Sequence, residues 1–281
     1  MNPTAPQLHP STALIPSSQS ALLAALAELP LRTIGRQVLH YSELGSSNTV
    51  LLDLAAQGAA EGQVIVVDTQ NAGRGRMGRR WISPPVEAGL MLSVLLRPEG
   101  IMPFACTMMA GVALCEAVEQ LCALRVALKW PNDLLVPVHG RWCKAAGMLT
   151  EISTEQNEIS ALVLGLGINI GWQPEGIVDG RNLSESASSL EAAAGHAIQR
   201  AALFRALIER LDRRYAMLRA DGQEQLFSDW RARLATLRTQ VSIMRTKGEL
   251  LGFVEDVDAS GALLVRDASG ELHYVMAGDV E

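Results

Sequence analysis

Nine residues, Gly73-Arg74-Gly75-Arg76-Met77-Gly78-Arg79-Arg80-Trp81, restrict this chain more than any other stretch. Glycines at alternate or near-alternate positions let a backbone bend where residues with side chains could not. Bent in that way, successive main-chain N–H groups can close around an anion. The four arginines add fixed positive charge and forked donors suited to phosphate and carboxylate oxygens. A run of this kind can also be a solvated basic loop, or a nucleic-acid patch of the glycine–arginine type. It is not the phosphate loop of a nucleotide hydrolase, because no Gly-Lys-Ser/Thr closes it. Its glycines also lack the spacing of a dinucleotide fold.

The rest of the chain decides what such a loop can serve. The formal net charge is −6, whereas a protein built to grip nucleic acid is usually basic. The arginines are therefore a local positive site on an acidic body, and a small anionic ligand suits them better than a long polyanion. A length of 281 residues suggests one main domain and a smaller one. Hydrophobic content of 48% with 19% charged residues is that of a globular chain. Cys106, Cys115, Cys122 and Cys143 have neither metal-knuckle nor redox spacing, so reduced, buried thiols in a cytoplasmic protein are expected. No secretory leader is read at the start, and no apolar run is read as long enough to span a membrane.

Taken in order, residues 1–20 read as a loose tail and 20–29 as a short helix stopped by Pro30. That leaves no room for a helix-turn-helix before residue 37, and no DNA-binding domain is expected. Val38–Tyr41 reads as a strand. Ser46-Ser47-Asn48-Thr49 then precedes an apolar run, as a helix N-cap does, and free N–H groups there could also meet a ligand. Strands are expected at Gln63–Asp68, Leu90–Leu96, Val126–Trp130, Cys143–Ile152 and Ala161–Ile170. Cys106–Leu121 has helical spacing that reads as core packing. Pro131 is expected to throw Asn132 and Asp133 into a turn where amide and carboxylate can face one ligand. Residues 172–189 read as a long polar loop, a candidate lid. Helices follow near 190–219, interrupted at Gly195, and near 223–235. Short strands end the chain at Val241–Met244, Leu251–Val257, Ala262–Arg266 and Leu272–Met276. They form a module too small to be very stable unless docked.

Four stretches together resemble the biotin–protein ligases: Gly73-Arg74-Gly75-Arg76-x-Gly78-Arg79-x-Trp81, Lys129-Trp130-Pro131-Asn132-Asp133, Lys144-x-x-Gly147-x-Leu149-x-Glu151 and Gly165-x-Gly167-Ile168-Asn169. The resemblance spans roughly residues 38–281, and is to the kind without an N-terminal winged helix. It implies an α+β fold: a mixed, mostly antiparallel sheet with packed helices, class II synthetase-like, then a small SH3-like β-barrel. The implied units are 1–36 (tail and short helix), 37–236 (catalytic) and 237–281 (barrel).

The implied reaction activates biotin with ATP as biotinyl-5'-AMP, releasing pyrophosphate. Biotin then passes to one lysine of a biotin carboxyl-carrier protein, a subunit of acetyl-CoA carboxylase. Lys144 and Arg76 are the implied catalytic residues. Biotin contacts fall on Ser46, Ser47, Asn48, Gln70, Arg74, Gly75, Arg76, Lys144, Gly147 and Gly165. ATP contacts fall on Arg79, Trp81, Lys129, Asn132, Asp133 and Asn169, with magnesium on the phosphates and Asp133 beside it. The family often has Thr where Ser47 stands and a basic residue where Met77 stands. Glycines 147, 165 and 167 are expected to leave room for a flat apolar ring. A monomer or homodimer is expected, without DNA or membrane partners. The rival readings are a lipoate–protein ligase or related acyltransferase, a nucleic-acid-binding regulator and a biotin sensor without catalysis.

Overall fold

The structure is a computed structural model that describes residues 14–15, 20–156, 158–245 and 248–280. Most of the expected N-terminal tail lies outside the described residues. Leu14 and Ile15 do not hang free, since Ile15 N–H donates to the His40 carbonyl at 2.7 Å.

In chain order the elements are α1 (Ala21–Ala25), β1 (Val38–Leu44), α2 (Ser47–Ala56), β2 (Val64–Gln70), β3 (Gly89–Leu96), α3 (Pro103–Cys122), β4 (Ala127–Lys129), β5 (Asp133–Val138), β6 (Arg141–Glu155) and β7 (Glu158–Asn169). Then come β8 (Ile177–Val178), β9 (Arg181–Asn182), α4 (Leu183–Ser186), α5 (Leu190–Ala194), α6 (Arg200–Arg219) and α7 (Gln223–Arg231). The chain closes with β10 (Gln240–Arg245), β11 (Gly248–Val257), β12 (Leu263–Arg266), β13 (Leu272–Val275) and β14 (Asp279–Val280).

Seven strands form one sheet in the order β1-β2-β3-β7-β6-β5-β4. Only β1–β2 is parallel; every other pair is antiparallel, as expected of an α+β chain. The inner strand β3 is buried along its whole length because both faces are covered. Leu90, Leu92, Val94 and Leu96 join the larger core with α1, α3, α6 and α7. Met91 and Leu95 point the other way, into a smaller core under Leu51 and Ala55 of α2. Period-two alternation along one strand thus feeds two layers of helix.

α3 corrects one reading. Its 20 residues hold an 18-residue stretch apolar enough to cross a membrane, with a mean hydropathy of 1.3. Its burial against the sheet and α6 accounts for that apolarity. Pro103 opens it, where the missing N–H costs no helical bond, and Ala123 closes it in the left-handed region at φ 50°. The four cysteines are free and buried as expected, and burial pushes the Cys106 thiol up to about 12.

The N-terminal segment is anchored by one carboxylate. Asp212 of α6 is 5% exposed and accepts the backbone N–H groups of Arg32, Thr33 and Ile34, each at 2.8 Å. Asp212→Ala leaves three backbone donors without their acceptor, that of Ile34 in a buried place. It is expected to cost roughly 3 kcal/mol, seen as a lower denaturant midpoint at unchanged slope.

The last five strands form a second sheet, ordered β13-β12-β11-β10-β14. It docks as its size requires. Trp130 is 2% exposed, and its indole N–H donates to the Gly261 carbonyl at 2.8 Å. Val254, Leu263 and Val265 belong to the same apolar cluster as α3. Five elements were not read from the sequence: β5, β8, β9, α4 and β14. β5 starts at Asp133 itself, so that residue opens a strand instead of lying in the turn. The 172–189 stretch holds the β8–β9 hairpin and α4 rather than a structureless loop.

Candidate active site

A cleft of about 510 Å3 is lined by α2, β4 to β7, the glycine–arginine loop, the β8–β9 hairpin and β14. That volume suits a small-molecule site. The glycine–arginine loop is itself a tight hairpin. Gly75 N–H donates to the Arg79 carbonyl at 2.7 Å, and Trp81 N–H donates to the Gly73 carbonyl at 3.0 Å. Two of the three glycines are needed for this shape. Gly78 has φ +74°, and a Cβ on Gly73 would lie 2.6 Å from the Trp81 carbonyl oxygen. Gly75, at φ −109°, is in extended backbone open to any residue, so the bend does not explain it. Met77 is left-handed at φ 55° and 61% exposed.

Four like charges on one short loop repel, and partners remote in sequence offset that repulsion. Arg74 Nη2 lies 2.9 Å from Glu151 Oε1, and its Nη1 donates to Thr49 Oγ1 at 2.9 Å. Arg76 Nη1 donates to Asn132 Oδ1 at 3.3 Å. Arg79 forms a two-pronged pair with Asp279 of β14, Nη1 to Oδ1 at 3.0 Å. Arg80 donates to Asp179 from its backbone N–H at 2.8 Å and from Nε at 3.3 Å. The loop is thereby stitched to β6, the β4–β5 turn, β14 and the β8–β9 hairpin.

The Lys129–Asp133 stretch spans the β4–β5 turn, and its two end residues pair across it. Asn132 Nδ2 donates to the Met148 carbonyl at 2.6 Å, which ties the turn to β6. Burial pulls the Lys129 ammonium below its usual range, partly countered by the Asp133 carboxylate. Burial likewise lowers Arg76, again against the pull of Asp133. Lys144 arches back over its own strand. Its Nζ lies 2.7 Å from Asp133 Oδ1, 3.3 Å from the Cβ position of Gly147 and 5.9 Å from the Trp81 ring centroid.

Gly147 and Gly167 are direct neighbours on β6 and β7, and Trp81 lies over both. A Cβ on Gly167 would sit 2.4 Å from the indole. A Cβ on Gly165 would sit 2.4 Å from Asn48 Oδ1. The space expected for a ligand ring at 165 and 167 is therefore filled by Asn48 and Trp81; these glycines let protein side chains reach the floor. Gly167→Ala forces a rigid indole to move. A Trp fluorescence change is expected, with an overpacking cost of about 1–3 kcal/mol read as a lower melting temperature. Gly147→Ala, with contacts of 3.3 to 3.4 Å, should act more weakly.

At the other end of the floor is a buried polar chain. Gln70 Oε1 accepts from Ser47 N–H at 2.8 Å and from Ser47 Oγ at 3.2 Å. Ser47 Oγ lies 2.7 Å from Ser93 Oγ, which donates to Asn48 Oδ1 at 2.6 Å. Asn48 Nδ2 donates to Glu151 Oε2 at 2.7 Å, and Glu151 holds Arg74. Ser46 is the N-cap of α2 by position, but its hydroxyl makes no capping bond. Asn169 is 3% exposed, and its Nδ2 donates to the Ser188 carbonyl at 3.1 Å.

Every residue expected from the sequence to be a catalytic, biotin or ATP contact lines one cleft. Sequence reasoning missed Ser93, Asp179, Arg181 and Asp279, and it quoted Glu151 only as part of a motif. For the hairpin a signal existed: Asp179-Gly180 has φ of 50° and 79°, the two-residue turn that Asp-Gly favours between strands. For Asp279 there was none. The residues do not build a cation cage in the cleft. Among the described residues, only Asp267, Glu271 and His273, in the C-terminal sheet, bring three such ligand atoms together. Asp133 alone, paired to Lys144, fits at most one ligand of an ion carried in by phosphate oxygens.

The sequence profile of the biotin/lipoate A/B protein ligase family matches residues 41–169, and that of the biotin protein ligase C-terminal domain matches residues 240–281. The biotin–[acetyl-CoA-carboxylase] ligase of Mycobacterium tuberculosis is 34% identical over 253 residues, covering 87% of this chain and 88% of that protein. The chain belongs to the biotin protein ligase family. A second relative of this ligase, the bifunctional ligase/repressor BirA of Bacillus subtilis, is 30% identical over 90% of this chain and 76% of its own length. In fold, the ligase resembles the biotin protein ligase from Aquifex aeolicus solved in complex with biotin and ATP. The TM-score is 0.72 at 22% identity, over 88% of this chain and 98% of the other.

Proposed function

We propose that the ligase joins biotin to a carrier-protein lysine in two steps within this one cleft. The supporting observation is the meeting of Lys144, Arg76 and Lys129 around Asp133, beside the floor that Trp81 covers. Two anions, a carboxylate and a triphosphate, repel each other and need preorganised cations where they join. In the first step a biotin carboxylate oxygen bonds to the α-phosphorus of ATP, and the bond to pyrophosphate breaks. Lys144 and Arg76 face the oxygens on which charge builds. In the second step the carrier lysine amine attacks the acyl carbon and AMP leaves with the bonding pair.

The Ser47–Gln70 end suits the polar head of biotin, with Ser46, Asn48, Arg74, Gly75 and Gly147 around the same molecule. Trp81 and Asn169 suit adenine. Arg79, Lys129 and Asn132 suit the phosphates, and magnesium enters with ATP as part of that substrate. Residues 37–236 would carry the chemistry and 237–281 would close the cleft. A biotin carboxyl-carrier protein in the cytoplasm is the expected partner of a monomer or homodimer. No DNA partner is expected of a chain with net charge −6.

The test supplies protein, ATP, magnesium and a carboxyl-carrier domain, with either biotin or lipoate. Pyrophosphate release and one added biotin mass on the carrier are expected with biotin alone. Transfer of lipoate instead, or no transfer, contradicts the reading.

A further inference from the structure

Strand β3 carries one polar side chain, on the face that its Met91 and Leu95 give to the smaller core. Ser93 is fully buried there, one step back from the cleft lining. A hydroxyl in such a place must be bonded, and its partners fix how the hydrogens beside it point. Asn48 Nδ2 donates to Glu151 Oε2 at 2.7 Å and to the Leu149 carbonyl at 3.3 Å, so Oδ1 is the end that meets Ser93. An amide oxygen only accepts, so it takes the Ser93 hydrogen, at 2.6 Å. Gly165 makes room for this. It faces Ser93 across the β3–β7 ladder, and a Cβ on it would lie 2.4 Å from Asn48 Oδ1.

With its own hydrogen committed, Ser93 Oγ can only accept from Ser47 Oγ, 2.7 Å away. Ser47 has a single hydroxyl hydrogen. It can turn to Gln70 Oε1 at 3.2 Å or to Ser93 Oγ at 2.7 Å, and the second is the shorter contact. While it serves Ser93, Gln70 Oε1 keeps only the backbone N–H of Ser47. Ser47 Oγ and Gln70 Oε1 then stand 3.2 Å apart, two acceptors on residues that line the cleft, with no proton between them. An N–H entering the gap relieves both. We propose that Ser93 is a positioning residue that turns the Ser47 hydroxyl away from the cleft, so that this end selects a ligand head group offering an N–H donor. A cyclic urea offers one; a ring oxygen or a disulfide in the same place does not. This rests on the reading that the head of biotin lies at the Ser47–Gln70 end.

The experiment measures binding to the full chain by calorimetry, without ATP. The ligands are biotin and the two cyclic carbamates in which one ureido N–H is replaced by a ring oxygen. The unaltered protein is expected to bind one of the carbamates at least roughly tenfold more weakly than biotin, because the acceptor pair then loses its donor. In Ser93→Ala the Ser47 hydrogen is free to turn to Gln70. Biotin should then bind about three- to tenfold more weakly, and the ratio to that carbamate should fall to within about threefold. Ser93→Thr, which keeps the hydroxyl, should keep the ratio. Ser47→Ala should narrow it too, and the double variant no further. Equal binding of biotin and both carbamates by the unaltered protein overturns the proposal, with no variant needed. So does a Ser93→Ala protein that keeps the ratio while all three affinities fall together or stay the same, which marks a purely structural role. If the unaltered protein binds no biotin, the functional reading fails first, and the two failures are told apart.

Discussion

Lys144→Ala is expected to slow biotin-dependent pyrophosphate release by on the order of 100- to 1000-fold, the usual cost of one preorganised donor to a developing oxyanion. The ammonium is held by what surrounds it. Asp133 fixes Nζ at 2.7 Å, and the bare Cα of Gly147 lets the side chain arch back over its own strand. The side chain keeps 36% of its exposure, so its loss should change the melting temperature little. Lys144→Arg should recover little of the rate. A planar fork is longer than an ammonium and cannot occupy the niche above Gly147 and beside Trp81 without displacing one of them. Asp133→Asn provides the matching control, since it frees the lysine without removing it. A release rate in Lys144→Ala within about threefold of the unaltered protein would falsify its assignment to the chemical step.

Arg76→Gly is expected to change where biotin goes as well as how fast it is used. Arg76 bridges from the glycine–arginine loop to Asn132 along the cleft wall, and it is half-buried there. There it can donate to a biotin carboxyl and to the α-phosphate together. A mixed anhydride must be kept from water and from stray amines until the carrier arrives. With glycine at 76 the loop loses its tie to the β4–β5 turn and its charge over the anhydride. Biotin affinity should fall by about 10- to 100-fold, as one or two charge-assisted hydrogen bonds are lost. Biotinyl-adenylate should escape and acylate lysines on bystander proteins. A mixed lysate incubated with ATP, biotin and the variant should show many biotinylated bands in a streptavidin blot, against the carrier band alone for the unaltered protein. A single carrier band in both lanes would show that Arg76 does not guard the intermediate.

What the sequence alone decided about this ligase was decided by local physics. Period-two apolar runs marked β2, β3, β6 and β7, because a strand buried on one or both faces must alternate or be apolar throughout. Glycine and arginine in one short run marked an anion site, because the conformational freedom and the charge belong to the residues themselves. The motifs at 73–81, 129–133, 144–151 and 165–169 identified the family, since each is a short contiguous pattern. Asp179-Gly180 carried the hairpin in two residues, although the polar run around it reads as loop.

Contacts between distant segments were decided only by the tertiary structure. Arg79 and Asp279 stand 200 residues apart, and Arg74 and Glu151 stand 77 apart. No local propensity records such a partner, yet these pairs turn four repelling arginines into a stitched loop. The long helix α3 has the apolarity of a membrane span and becomes core only because the sheet and α6 cover it. Gly165 and Gly167 read as space for a ligand, but the folded chain lays Asn48 and Trp81 there. A glycine states that a Cβ is excluded; which atoms exclude it depends on what the rest of the chain brings across the sheet.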